Sequence, residues 1–374
     1  MAFIIGFFIL IYVMLIGILC LGFSKLLTFA SEKLVPKTSF SICIAFRNEA
    51  KNLPALLNSL QNIRYHQELF EIVLVNDHST DDSVQIITDF CLKNTNFESK
   101  IRILSQKSPS TSGKKAALHL AIKNAKNEFI ITTDADCIVP KTWLSEINAF
   151  TLKTTKSFIA GPVALSETPF SLLNMFQELD FLSLQGATQG AFGLKKPFLC
   201  NGANLAFAKK EFFRLNGYAG NREVASGDDI FLMQKFQKDN PKSVGYLKSQ
   251  KSIVYTQPQH SWKNLIEQRK RWAAKASTYT HFIAFLVSWA VLLANFASII
   301  AIFYLHTSVF LISILILKIV VDFILIAQAA RFFSKRSYLW GYLWSFLVYP
   351  FFTLFIAISS QLQSFEWKGR QLKK

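Results

Sequence analysis

Glu128-Phe129-Ile130-Ile131-Thr132-Thr133-Asp134-Ala135-Asp136 decides how the rest of the chain reads. An apolar, β-branched run ends in two carboxylates one residue apart. Side chains alternate along a strand, so Asp134 and Asp136 point the same way at the end of the run. In a parallel sheet that end is where ligands bind. Paired carboxylate oxygens there can hold Mg²⁺ or Mn²⁺, cations that keep positions open for substrate phosphates. Asp-x-Asp also recurs in solvated turns, so the flanking pattern has to carry the argument.

Outward from this stretch, short apolar runs alternate with helical periods. The runs are Ser41 to Phe46, Glu71 to Val75, Ile101 to Ser105, Glu128 to Thr133 and Ser157 to Val163. Leu53-Pro54 opens a helix with proline in its first turn, and Ser79-Thr80-Asp81-Asp82 supplies capping oxygens for a second. A third starts near Gly113. The alternation predicts a mostly parallel α/β sheet with helices on both faces, and the residues just after each strand are the first to examine for function.

Composition adds a second component. Of 374 residues, 51% are hydrophobic, and a mean hydropathy of +0.28 is too apolar for an ordinary soluble enzyme. Residues 1–23 carry no charge, which predicts a transmembrane anchor over 1–24 rather than a cleavable signal, because Lys25, Lys33 and Lys37 follow the apolar run instead of preceding it. Those lysines place the N-terminus outside and the next domain, 35–275, in the cytosol. Three further apolar segments, 281–304, 307–330 and 338–362, predict a membrane region over 281–362. Arg331-Phe-Phe-Ser-Lys335-Arg336 forms a cytosolic turn within it. Pro350 opens a kinked or re-entrant alternative for the last segment, which would return the basic tail 363–374 to the cytosol. Lys318 and Asp322, one turn apart in an apolar segment, are expected to pair. Residues 170–184 read as a helix with one apolar face, either core-facing or interfacial.

Several classes of function are disfavoured. The formal charge of +17 fits basic membrane flanks and a polyanionic substrate. Nucleic acid is a poorer fit, since no Lys/Arg-rich stretch interleaves with stacking aromatics. Cys20, Cys43, Cys91, Cys137 and Cys200 lack C-x-x-C spacing, and no histidines pair at ligand distance, so neither a zinc site nor a disulfide framework is indicated. A serine hydrolase has no G-x-S-x-G elbow to rest on.

Taken in order, the motifs resemble those of family 2 inverting glycosyltransferases, which share the GT-A nucleotide-sugar fold. Ser41-Ile-Cys-Ile-Ala-Phe-Arg47-Asn48-Glu49 resembles the first strand, and Glu71-Ile-Val-Leu-Val-Asn76-Asp77-His78-Ser79-Thr80-Asp81 the second strand and its uridine loop. Gly113-Lys114-Lys115-Ala116-Ala117-Leu118 is similar to the glycine-lysine helix start. Asp134-Ala-Asp136, Asn201-Gly202-Ala203-Asn204-Leu205-Ala206-Phe207, Ser226-Gly227-Asp228-Asp229 and Gln268-Arg-Lys-Arg271-Trp272 follow. Order and spacing agree from about residue 39 to 275, and several motifs in sequence are far more specific than any one. An anchor before the domain and helices after it resemble the layout of membrane-bound members, ceramide glucosyltransferases among them, as does the Trp367-Lys-Gly-Arg370 ending.

The resemblance implies a set of roles. Asp136 is the stronger ligand of Mg²⁺ or Mn²⁺, and Asp134 touches the ribose or the metal's water shell. Asp77 accepts from uracil, Glu49 lies near the ribose, and Lys114 approaches phosphate. Asp229 is the base that takes the acceptor's proton. Asp228 stands where the family more often has glutamate, and it also reads as a helix cap. Gln268, Arg271 and Trp272 bind the diphosphate or an acceptor sugar, with an interfacial basic-aromatic belt as the plain alternative. His78 replaces a customary glycine and Asn76 a common aspartate. The implied reaction moves a sugar from a nucleotide donor, UDP-linked, to a membrane-associated acceptor with inversion. A processive polysaccharide synthase and a non-catalytic scaffold with a degenerate nucleotide-binding domain are the rival readings.

Overall fold

The computed structural model describes residues 1–30, 34–106, 113–220, 227–274, 282–362, 365–367 and 370–372. Lys33, Ser226 and half of the tail 363–374 lie outside that set. In chain order the elements are α1 (Ala2–Lys25), β1 (Phe40–Phe46), α2 (Leu53–Gln61), β2 (Phe70–Asn76), α3 (Ser83–Lys93), α4 (Thr95–Glu98), β3 (Ile101–Ser105), α5 (Lys114–Asn124), β4 (Phe129–Thr132), β5 (Cys137–Ile138), α6 (Trp143–Lys153), β6 (Phe158–Ala160), β7 (Val163–Leu165) and α7 (Leu172–Gly193). They continue with β8 (Leu205–Ala208), α8 (Lys209–Arg214), α9 (Asp228–Asp239), β9 (Val244–Tyr246), β10 (Val254–Thr256), α10 (Trp262–Ala273), α11 (Phe282–Phe303), α12 (Val309–Phe332), α13 (Tyr342–Leu362), β11 (Phe365–Trp367) and β12 (Arg370–Leu372). Packing divides the chain into two compact units, residues 28–166 with 200–257, and residues 1–27 with 167–199 and 258–374. Helices α7 and α10, which sequence reading assigned to the 35–275 domain, therefore group with the apolar helices.

The first unit holds a seven-stranded sheet in the order β3-β2-β1-β4-β8-β6-β9. β1 pairs in parallel with β2 and β4, and β2 with β3. The runs of β1, β2 and β4 are buried on both faces, as helix-covered parallel strands require, whereas the edge strand β3 is only half-buried. β8 is reversed against both β4 and β6. Chain order turns back at β1 and β4, so a crevice opens beyond their carboxyl ends. A small sheet, β5-β10-β7, completes the unit.

The run from Ser157 to Val163, expected as one strand, is two strands in different sheets. Gly161-Pro162 makes the corner, since proline cannot donate to a ladder. Asn204 secures it: its Nδ2 donates to the carbonyls of Pro162 at 2.8 Å and Ser252 at 2.9 Å, and its Oδ1 accepts from Trp143 Nε1 at 2.9 Å.

Among the described residues, the second unit contains four helices long and apolar enough to cross a membrane, Ala2–Lys25, Phe282–Phe303, Val309–Phe332 and Arg336–Leu362. α13 runs through Pro350 as one helix of 21 residues, so the chain does not turn back at the proline. α1 packs against α7, α11 and α12. The expected pair forms within α12, with Lys318 Nζ 2.9 Å from Asp322 Oδ2. Tyr12 donates its hydroxyl to Asp322 Oδ1 at 2.8 Å, so α1 completes the charge pair.

α7 is longer than the expected 170–184 and is buried on nearly all sides. Ser171 starts it, its hydroxyl accepting from Asn174 N–H at 3.0 Å. α1 and α7 approach backbone to backbone at Gly22, Gly190 and Gly193, where a Cβ on Gly190 would overlap the carbonyl oxygen of Leu19. Gly190→Leu should therefore destabilise the helical unit by about 3 kcal/mol, because backbone cannot step aside. Gly17→Ala, where the nearest atom to a new Cβ is Val321 Cγ2 at 3.9 Å, should change little. Thermal unfolding of both variants in detergent checks this, and equal midpoints would rule out the close approach.

Candidate active site

The loops after β1 and β2 are tied together by side chains bonded to backbone. Arg47 Nη1 donates to the carbonyls of Asp77 at 2.8 Å and His78 at 2.9 Å. Asn48 N–H donates to Ser79 Oγ at 3.1 Å, and Asn48 Oδ1 accepts from Thr80 N–H at 2.8 Å. Asn76 Oδ1 accepts from Ser79 N–H at 2.8 Å, a turn-forming bond that aspartate would also make. Asn48 and His78 have φ of 50° and 56°. Histidine thus takes the left-handed conformation that a glycine would adopt without cost, and it is one of the few side chains enriched there.

Glu49 is held at both ends, its N–H donating to Ser83 Oγ at 2.8 Å and its Oε2 accepting from Asn52 Nδ2 at 2.7 Å. Asp82 stands at the N-cap of α3 without a side-chain cap bond, and Asp81 before it accepts from Ser83 N–H at 3.1 Å instead. Asp77 is buried at 2% exposure, and its Oδ1 accepts from Gly113 N–H at 3.1 Å. Gly113 has φ of 118°, which a side chain rarely tolerates, and that conformation turns its N–H toward Asp77 as α5 begins.

The next residue, Lys114, is the centre of the acidic site. Its Nζ lies 2.5 Å from Asp134 Oδ1 and 3.7 Å from Asp228 Oδ2. Burial alone would lower the pKa of Lys114, but the carboxylates of Asp134, Asp228 and Asp229 outweigh it and hold the ammonium well above the ordinary lysine range. Asp229 lies in the first turn of α9, with Oδ2 accepting from Gly202 N–H at 3.0 Å and Oδ1 from Ile230 N–H at 2.8 Å. The carbonyl of Gly202 accepts from Thr132 Oγ1 at 2.9 Å, fastening the glycine-alanine-asparagine segment to the end of β4. A Cβ on Gly202 would stand 3.5 Å from Asp228 Oδ2 and 3.6 Å from Lys114 Nζ. Residues 114, 134, 202, 228 and 229, far apart in sequence, therefore converge at the carboxyl edge of the sheet.

Asp134 and Asp136 are both half-buried with Ala135 buried between them, and they stand in the turn between β4 and β5 rather than on the strand itself. Asp136 Oδ2 accepts from Thr256 Oγ1 at 3.5 Å, and its Oδ1 from Cys137 Sγ at 3.6 Å. Burial, then Asp136 and Asp134, push the Cys137 thiol well up, so it stays protonated. Among the described residues no three His, Cys, Asp or Glu side chains form a ready cage. The donors nevertheless fit Mg²⁺ or Mn²⁺, hard cations commonly held by one or two carboxylates with substrate phosphates supplying further oxygens.

Gln268, Arg271 and Trp272 lie on α10 in the apolar unit. Local sequence reading missed the residue that organises this segment, Arg269. Its guanidinium is buried and pairs with Asp180 of α7 at 2.7 Å. The one available signal was an acid, Asp180, inside an apolar helical period. The two ion-paired partners of Lys114 were likewise unforeseen, although Lys114, Asp134 and Asp228 were each singled out.

Residues 41–210 match the family model described as glycosyl transferase family 2, and residues 129–367 match glycosyl transferase family group 2. The second match covers well over half the chain, and the chain belongs to glycosyltransferase family 2. Poly(ribitol-phosphate) beta-N-acetylglucosaminyltransferase TarS of Staphylococcus aureus is 30% identical over 112 residues, 30% of this chain and 18% of that protein. Probable glycosyltransferase YdaM of Bacillus subtilis is 24% identical over 265 residues, 67% of this chain and 60% of that protein. The chain thus spans less than two thirds of either relative. Mannosyltransferase PcManGT from Pyrobaculum calidifontis, solved with GDP-Man and Mn²⁺, superposes with a TM-score of 0.57 at 15% identity, covering 92% of this chain and 99% of that one. The shared architecture is the GT-A α/β fold.

Proposed function

We propose that this family 2 member transfers a sugar from a nucleoside diphosphate donor, with UDP as the carrier, to a membrane-resident acceptor with inversion at the anomeric carbon. The observation that carries this reading is the convergence of Lys114, Asp134, Asp228 and Asp229 about Gly202. One cation and three carboxylates at the ligand edge of a nucleotide-binding sheet suit a reaction in which a phosphate departs as a hydroxyl loses its proton.

In this mechanism Asp77 receives the base and Glu49 the ribose. Asp136 and Asp134 would hold Mg²⁺ or Mn²⁺, which when bound would neutralise charge on the departing diphosphate. The Lys114 ammonium adds a fixed positive charge on the same side. The acceptor oxygen attacks the anomeric carbon and its proton passes to Asp229. The bond from that carbon to the β-phosphate oxygen breaks, and the nucleoside diphosphate leaves with the electron pair. A single displacement of this kind inverts the centre. Gln268, Arg271 and Trp272 bind diphosphate or the acceptor's sugar, guanidinium suiting phosphate and indole suiting a pyranose face.

Support for a membrane acceptor comes from the four apolar helices and from the position of the Gln268 to Trp272 segment just before α11. Lys25 at the end of α1 and Lys37 after it, together with the Arg331 to Arg336 turn, favour a cytosolic catalytic domain, where nucleotide sugars are found. The likeness to ceramide glucosyltransferases is the narrowest form of this reading and rests on layout and the Trp367-Lys-Gly-Arg370 ending alone.

Detergent-purified protein should release nucleotide from UDP-sugars in preference to GDP- or dTDP-sugars. Release should require Mg²⁺ or Mn²⁺ and should place single sugars on a lipid extract. Transfer only to water-soluble acceptors would sink the membrane acceptor, long products on a gel would favour a processive synthase, and no transfer from any donor would favour a scaffold.

A further inference from the structure

Asp180 and Arg269 are 7% and 8% exposed, and they form a two-point ion pair. Asp180 Oδ2 accepts from Arg269 Nε at 2.7 Å and lies 2.7 Å from Nη2. Such a grip fixes the plane of the guanidinium. Buried charge pairs seldom stabilise a fold better than apolar side chains of the same volume, so packing alone does not account for this one.

What the guanidinium touches gives it a purpose. Arg269 Nη1 donates to Gln268 Oε1, which commits the amide oxygen and leaves the NH₂ end to be presented elsewhere. The guanidinium carbon also sits 4.2 Å from the Trp272 ring centroid, covering one indole face. Phe181, the neighbour of Asp180 on α7, has its ring centroid 6.5 Å from that of Trp272. The buried acid thus reaches, through a single arginine, two of the three side chains singled out in the Gln268-Arg-Lys-Arg271-Trp272 segment.

We propose that Asp180 is a positioning residue for this segment, setting through Arg269 the amide of Gln268 and the indole of Trp272 in the orientation that sugar transfer requires. The inference rests on the reading that the segment serves the transfer. It adds a residue from α7, 89 positions away from its partner, which no local motif contains.

The test compares full-length variants in detergent, with transfer from a UDP-sugar to a lipid extract as the assay. Asp180→Ala should lower kcat by about 10- to 100-fold, the usual loss when an outer partner of a working side chain is removed. The donor KM should hold, because what is lost is orientation in the transition state. Asp180→Glu should restore part of the rate. The losses should not add: Asp180→Ala combined with Arg269→Ala, or with Trp272→Ala, should be no slower than the Arg269 or Trp272 variant alone. Glu178→Gln removes another buried carboxylate of α7, 3.5 Å from Lys335 Nζ. It should lower the unfolding temperature and leave kcat unchanged.

Should Asp180→Ala fail to give a monodisperse protein, Asp180→Asn, which keeps the shape, carries the same comparison. A wild-type kcat for the Asp180 variants beside inactive Trp272→Ala would overturn the positioning role, as would losses that simply multiply. Wild-type rates for both Gln268→Ala and Trp272→Ala would instead show that the segment has no part in transfer.

Discussion

Replacing Asp229 with asparagine is expected to slow sugar transfer by about a thousand-fold, within the range for losing a general base, while donor binding stays near its original strength. The side chain is oriented by two backbone donors, Gly202 N–H at 3.0 Å and Ile230 N–H at 2.8 Å. Its place in the first turn of α9 also favours the anion. Asparagine keeps the shape and one acceptor oxygen, but it cannot take a proton from the attacking hydroxyl. The fold should therefore survive, and the chemistry should not.

Asp228→Asn makes the informative partner. Asp228 is buried, and its Oδ2 lies 3.7 Å from Lys114 Nζ, beyond hydrogen-bond distance, so Asp228→Asn should slow transfer far less than Asp229→Asn. Steady-state rates for both variants, with donor affinity measured by calorimetry, separate the two aspartates. A dead Asp228→Asn beside an active Asp229→Asn would exchange their roles.

What the sequence revealed depended on how far apart the cooperating residues lie. β1, β2 and β4 were legible because strands buried on both faces are continuous apolar runs, and the ends of β2 and β4 named Asp77, Asp134 and Asp136 as residues to watch. Proline at the start of α2 and glycine before α5 fixed those helix starts locally. The split of Ser157 to Val163 was not legible, because it depends on Asn204 reaching back to Pro162, 42 positions earlier. Nor was the length of α7, whose polar residues are buried by other helices rather than facing water. Asp180 with Arg269 belongs to the same class. A lone acid in an apolar period signals a partner, and only the tertiary fold says which.

Removing the ammonium of Lys114 is the second large effect, and its sign can be stated for three measurements. Lys114→Ala should lower kcat by about 100- to 1000-fold, comparable with losing one preorganised charge stabiliser in an active site. Lys114 Nζ lies 2.5 Å from Asp134 Oδ1, so it competes with a divalent cation for that carboxylate. Without the lysine, half-saturation should occur at a lower Mg²⁺ or Mn²⁺ concentration even as the rate falls. A lower rate with weaker cation binding would show that Lys114 supports the cation site instead of competing with it. Lys114→Arg should restore only part of the rate, because a planar fork does not replace a point charge between two carboxylates. The pH profile gives the third sign. The folded pKa of Lys114 is raised above its unfolded value, so the stability it contributes is complete below about pH 10.4 and is lost only as pH rises from there through the folded value. Between about pH 6 and 9 the wild-type rate should owe none of its pH dependence to this lysine. A limb of the profile that disappears in Lys114→Ala but not in Asp229→Asn would contradict that assignment.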